Sequence, residues 1–158
     1  MKRVFITGVG VVSPIGNDRH EYWKSLQAGR SGIATFTSLP LDGLDVTIGG
    51  EVKYLDRKLA DVNDNVSSRK MDKSTLYGVI AAGEAIKDSG LDTAKLGARA
   101  AAIVGSGLAG LQTLQDQTEI LLNKGPSRVS PFTIPLLMPN AAVANISLAY
   151  NIAGTSYN

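Results

Sequence analysis

The 158-residue chain has no cysteine and only one histidine. It therefore forms no disulfide and offers no thiolate nucleophile, and His20 alone cannot build a Cys/His metal cluster. No catalytic residue, metal or cofactor is expected within these residues. Net charge is small as well: 16 Lys and Arg against 14 Asp and Glu leave +2. That balance gives no electrostatic reason to expect nucleic acid or an anionic membrane as partner. No apolar run approaches the ~18 residues of a membrane span. The start does not read as a secretion signal either. Met1-Lys2-Arg3 passes straight into a strand-like pattern, so a cytoplasmic setting is expected. No Ser-His-Asp arrangement can be assembled. His20 stands on a polar helical turn beside Asp18 and Glu21 and is expected to be exposed and structural.

Glycine, by contrast, is abundant, with 17 residues in the chain. Together with many alanines it points to tight turns and closely packed helices. The length fits one domain, and a chain of this size can bury roughly 68–70% of its unfolded surface. Arg3–Thr7 (RVFIT) reads as a buried strand that ends at Gly8. Asp18 with Glu21 forms a D-x-x-E capping signature for a helix in which Tyr22, Trp23 and Leu26 share a face and Gly29 is the stop. Loops follow, with short strands expected near Val46–Ile48 and Glu51–Tyr54.

The clearest helix is expected from Ser68 to Ser89. Leu76, Val79, Ile80, Gly83 and Ile86 recur at helical spacing, small residues occupy the other faces, and Gly90 ends it. A second buried strand is expected over Ala100–Val104. A helix from Gly110 to Asn123 should follow, with Leu111, Leu114, Thr118, Leu121 and Leu122 inward. Gly125-Pro126 breaks it. Ser130–Pro139, with three prolines, reads as a stiff extended loop. Asn140 is the expected cap of a last helix, Ala141–Tyr150, stopped at Asn151 or Gly154. The final residues are β-prone, yet leave no sequence for a strand to occupy, which fits either a fragment or an ordinary frayed terminus. The order of elements is α/β.

Two glycine turns invite a phosphate-binding reading. In ITGVGVVSPIGN, Ile6 to Asn17, Gly8 and Gly10 fit a dinucleotide fingerprint. Its third glycine is replaced by Ser13, and Pro14 follows at once. The helix cap comes only at Asp18, so no helix N-terminus faces the bend. A structural turn is the better reading. Gly105-Ser106-Gly107-Leu108-Ala109-Gly110 also joins a strand to a helix, but it lacks the Gly-Lys-Ser/Thr ending of a P-loop. It serves either close packing or a ligand approaching the backbone with Leu108 as apolar contact. Ser68 to Lys73 places three cations in an expected first helical turn. That is unfavourable for the helix dipole and points either to a solvated face or to an anionic partner.

Taken in order, ITGVGVVSPIGN, SGI (Ser31 to Ile33), GEV (Gly50 to Val52), RKMD (Arg69 to Asp72), GSGLAGL (Gly105 to Leu111), KGPSRVSPFTIP (Lys124 to Pro135) and the Ala-rich helix after Asn140 resemble one family. It is the N-terminal part of the elongating-type β-ketoacyl-acyl carrier protein synthases, condensing enzymes of the thiolase fold. The likeness covers essentially the whole chain. Each motif alone is weak; their order is specific.

The resemblance implies the N-terminal half of a thiolase-like α/β fold, a mixed sheet with helices on both faces. It implies a homodimer that loads an acyl chain on a cysteine and condenses it with malonyl-acyl carrier protein. The family's cysteine, two histidines and lysine come later than Asn158. Residues 1–158 are thus expected to stop before the nucleophile turn and to be inactive alone. Substrate-binding roles are implied for Leu108, Thr133, Ile134 and Leu137, and contact with the acidic carrier protein for Arg69 and Lys70. Departures occur at Thr133, where an aromatic is common, at Asn65-Val66 in place of a basic pair, and at Thr155 in place of proline. Two other functions stay open at this point: a non-catalytic dimer partner or carrier-binding module, and a dinucleotide-binding domain.

Overall fold

The computed structural model describes residues 3–55 and 71–158. Among them the chain runs α1 (Arg19–Gln27), β1 (Ile33–Thr35), β2 (Ile48–Gly50), α2 (Lys73–Ser89), α3 (Thr93–Leu96), a 3-10 turn (Gly97–Arg99) and β3 (Ala102–Ile103). It continues through α4 (Leu111–Lys124), a second 3-10 turn (Pro126–Arg128), α5 (Thr133–Leu137), α6 (Ala141–Ala149) and β4 (Ser156–Tyr157). β1 and β2 pair antiparallel with Ile33 opposite Gly50; β3 and β4 pair parallel with Ala102 opposite Ser156. Among the described residues these pairs are two separate two-stranded sheets, one antiparallel and one parallel, and not the single mixed sheet that was expected.

The core forms where α2 packs on α6. Val79 is fully buried, and Ala102 of β3 with Val143, Ile146 and Ala149 of α6 close around it. The expected stripe on α2 is buried at Leu76, Val79 and Ile80, and Val79 is its member in this cluster. Each such aliphatic side chain contributes about 1.5–3 kcal/mol when fully buried. Gly83 leaves a gap that the Tyr150 ring fills, and the Tyr150 hydroxyl donates to the Val79 carbonyl at 2.8 Å.

Helix ends follow the capping chemistry. The Asp18 side chain accepts the Glu21 N–H at 2.8 Å, and Glu21 accepts the Asn17 N–H at 3.1 Å. Gly29 and Gly90 take the left-handed conformation that stops a helix, with φ of 62° and 66°. Asn151, also left-handed, follows α6. Asn140 precedes α6 without a side-chain capping bond, contrary to expectation; its backbone stays near ψ 3°, outside the extended range a capping side chain favours. The GEV segment has a structural use. The Glu51 carboxylate accepts from the hydroxyl and N–H of both Thr37 and Ser38, tying the end of β2 to the strand exit after β1. The Ser38 hydroxyl first, then the Thr37 groups, lower its pKa to about 2.

Several expectations are corrected. Helix α2 begins at Lys73, not Ser68, because the Asp72 side chain caps it by accepting the Ser74 N–H at 3.0 Å. Lys73 is the single cation of the former trio inside the helix; Arg69 and Lys70 lie outside the described residues. Short strands form at Ile33–Thr35 and Ile48–Gly50, and Glu51–Tyr54 is not a strand. The Ser130–Pro139 loop contains helix α5. Pro135 fits there as the third helical residue, where an N–H has no intrahelical acceptor to lose. The terminal residues form strand β4 rather than an unpaired end.

The remaining errors share one cause. Arg3–Thr7 pairs with no strand among the described residues, and Val4 and Ile6 are 93% and 88% exposed. On α1 the buried residue is Ser25, while Trp23 and Leu26 are exposed. The second strand narrows to Ala102–Ile103, with only Ala102 buried. On α4, Leu111, Leu114, Leu121 and Leu122 all face solvent. A face is buried only when another element covers it. The accessible surface is 11154 Å², against about 7,600 Å² for a self-contained monomer of this mass.

Candidate functional site

The ITGVGVVSPIGN stretch lies along α2. A Cβ on Gly10 would stand 2.8 Å from Ala85 N and overlap the Ala81 carbonyl; one on Gly8 would stand 2.7 Å from Ser89 N. Only glycine lets the two backbones approach this closely. Two N–H groups of the turn are already bound to carboxylates: Val9 donates to Asp88 at 3.1 Å, and Val11 donates to Glu84 at 2.9 Å. Glu84 also accepts the Arg19 N–H at 2.9 Å, and Arg19 pairs with Asp88. Carboxylates thus take two backbone donors of the kind a phosphate would need. Asn17 donates to the Lys53 carbonyl and fixes the far end of the turn.

The second glycine turn joins β3 to α4. The Ser106 hydroxyl donates to the Leu108 carbonyl at 2.9 Å, and Leu108 is 72% exposed. Gly105 and Gly107 have open space where a side chain would project. Gly110 is left-handed, with φ 67°, and a Cβ there would lie 2.6 Å from Leu136 O and 2.7 Å from Leu137 Cα. The turn therefore lands directly on α5. At the N-terminus of α4 the third N–H, that of Thr113, donates to Asp72 at 3.2 Å, and the Thr113 hydroxyl donates to the same carboxylate at 2.8 Å. Here too a side-chain carboxylate takes the place a phosphate would occupy.

Asp72 therefore holds two helix starts together. Burial is the largest influence on its carboxyl and opposes ionisation. The Ser74 and Thr113 donors together outweigh it, so its pKa lies below the ordinary 3.8. Burial, and then the charge of Asp72, push the Tyr77 phenol up. Sequence reasoning passed over Asp72. Its signal was available: an aspartate two residues before Ser74, at the head of the apolar stripe, is an N-cap.

Of the candidate substrate residues, Leu137 packs at Gly110, within two residues of Leu108. Thr133 is half-buried, and its hydroxyl donates to the Ser130 carbonyl at 2.6 Å. Ile134 is 67% exposed. The structure thus joins the Leu108 turn to α5 and leaves both partly open to solvent. Arg69 and Lys70 are outside the described residues. His20 is exposed, as expected. Beyond α5, an open cleft of about 520 Å³ is bounded by Met138, Asn140, Val143, Ser156, Tyr157 and Asn158. With its amide nitrogen turned inward, Asn158 donates to the carbonyls of Pro139 at 3.0 Å and Val104 at 3.1 Å. Among the described residues, no helix is long and apolar enough to cross a membrane.

Comparison with known proteins decides the family. The sequence matches the family described as "Beta-ketoacyl synthase, N-terminal domain" over residues 1–158. The chain belongs to the β-ketoacyl synthase family. Among its relatives, the chain is 38% identical to 3-oxoacyl-[acyl-carrier-protein] synthase 2 of Staphylococcus aureus (strain COL) over 154 residues, which is 97% of the chain and 37% of that protein. It is 40% identical to the protein of the same name from Synechocystis sp. over 142 residues, 89% of the chain and 34% of that protein. The chain thus spans little more than a third of the length of these relatives.

Solved structures agree on the fold. The ishigamide ketosynthase/chain length factor superposes with a TM-score of 0.83 at 26% identity, covering 97% of this chain and 38% of that one. A type II PKS ketosynthase, solved in complex with its acyl-carrier protein and bound to the hexaketide, gives 0.69 at 28% identity, over 98% and 42%. The thiolase-like reading of the chain, as an N-terminal half, holds.

Proposed function

We propose that this chain is the N-terminal part of a β-ketoacyl-acyl carrier protein synthase. The complete enzyme condenses an acyl thioester with malonyl-acyl carrier protein in fatty acid or polyketide synthesis. The observation that carries the reading is the family match across residues 1–158, joined to the meeting of the Leu108 turn with α5. Leu108, Thr133, Ile134 and Leu137 line the acyl pocket, with α5 crossing a homodimer interface. The nucleophile and its helpers come from sequence beyond residue 158, so these residues are scaffold and pocket wall. The open cleft beside Asn158 and the exposed faces of α4 and Arg3–Thr7 accommodate the rest of the protein. Exposed apolar surface of this extent marks an interaction face. Arg69 and Lys70 meet the acidic carrier protein, in a cytoplasmic enzyme.

Carrier binding tests the partner assignment. Acyl carrier protein is expected to co-purify with the complete synthase, and Arg69→Glu with Lys70→Glu to weaken that association. Unchanged retention of the double variant would remove the basic pair from the interface.

A further inference from the structure

Thr113 and Gln117 stand four residues apart on α4 and share one face. Thr113 is bound to Asp72 at the start of α2. One turn on, the Gln117 side-chain oxygen accepts the Ser130 N–H at 2.8 Å. Ser130 in turn organises the start of α5. Its carbonyl accepts the Thr133 N–H at 3.1 Å and the Thr133 hydroxyl at 2.6 Å, and its own hydroxyl accepts the Phe132 N–H at 3.2 Å. No side chain caps α5 in the ordinary way. A five-residue helix is too short to hold its own geometry. Its placement comes from two anchors on α4: Gly110 against Leu136 and Leu137, and Gln117 through Ser130. Neither anchor is a member of the Val79 cluster at the α2–α6 contact.

We infer that Gln117 is a positioning residue: through Ser130 it sets how Thr133 and Ile134 are presented, and thereby the acyl-chain length the complete synthase prefers. The inference rests on the reading of α5 as a wall of the acyl pocket. Without the Gln117 oxygen, the half-buried Ser130 N–H turns to water and the N-terminal turn of α5 loosens. The pocket wall then shifts while the reacting groups stay where they are.

The test measures kcat/KM of the complete synthase for a long and a short acyl-carrier substrate. Gln117→Ala is expected to change the ratio of the two by about tenfold, the scale on which a pocket discriminates methylenes. Gln117→Glu keeps an acceptor oxygen and is expected to restore the ratio. Ile134→Ala, made in parallel, reports on the pocket itself. If Ile134→Ala moves the ratio and Gln117→Ala does not, the role of Gln117 is overturned and the pocket reading stands. If neither moves it, both are overturned. A change that Gln117→Glu does not restore also overturns the inference, because the acceptor is then not what matters. Should Gln117→Ala fail to fold, Gln117→Asn, one methylene shorter, carries the same expectation.

Discussion

Replacing Gly10 by alanine tests the account of the first glycine turn. The new Cβ would sit 2.8 Å from Ala85 N and inside the Ala81 carbonyl. Restoring an ordinary separation of about 3.5 Å requires the turn to move off α2 by at least about 0.7 Å. The bond from Val11 to Glu84 is 2.9 Å and that from Val9 to Asp88 is 3.1 Å. A movement of this size carries both beyond the usual ~3.2 Å limit. Hydrogen bonds to charged groups contribute about 1.5–3 kcal/mol each. Carboxylate side chains partly follow the backbone, and alanine recovers about 0.4–1 kcal/mol from the unfolded chain. The net local loss is then about 2 kcal/mol. That corresponds to roughly 30-fold faster amide exchange at Val11. Hydrogen–deuterium exchange read by mass spectrometry on peptides covering residues 5–13 gives the measurement. Gly105→Ala, where the Cβ meets nothing within 4 Å, should leave exchange across the protein unchanged. If Gly10→Ala exchanges within a few-fold of the parent at Val11, the close approach does not explain the glycine.

The remaining predictions concern Asp72 and the uncovered faces. The folded pKa of Asp72 is lowered, so its contribution to stability is full above the ordinary 3.8 and is lost as pH falls through the folded value. Asp72→Asn should flatten the acid limb of a stability-against-pH curve, and an unchanged limb would show that the Ser74 and Thr113 donors do not hold the carboxylate. The isolated 158-residue chain should self-associate in sedimentation velocity, because Val4, Phe5, Ile6, Ile103 and Leu122 are all exposed; a monodisperse monomer with cooperative unfolding would contradict that.

The parts of the fold visible in the sequence are those set by local chemistry. Asp18, Gly29 and Gly90 mark helix ends because caps and stops act within a few residues. The α2 stripe is legible because Leu76, Val79 and Ile80 are buried within the same chain, Val79 against α6. Strands were harder. A two- or three-residue strand such as Ser156–Tyr157 carries no alternation, and its existence depends on Ala102 and Ile103, more than fifty residues away. RVFIT has strand composition, but pairing belongs to a partner and not to the segment. The three prolines of Ser130–Pro139 concealed α5, since Pro135 falls at the one stage of a helix where it is harmless. The family resemblance singled out Leu108 and the segment that folds as α5, but not the helix itself. Asp72 is legible only as the local cap of α2; its bonds from Thr113, and the bond from Ser130 to Gln117, are not, because each reaches a residue distant in sequence. The conclusion against phosphate at ITGVGVVSPIGN was reached from Ser13 and Pro14; the structure adds the cause, carboxylates of α2 on the turn's own N–H groups.

The most direct measurement supplies acyl-carrier protein and malonyl-carrier protein to two preparations, the 158-residue chain alone and the complete synthase, and reads the products by mass spectrometry. The account predicts β-ketoacyl-carrier protein from the complete synthase and none from the chain alone. Product from the isolated chain would contradict the claim that the chemistry lies outside these residues, and product from neither would contradict the proposed activity.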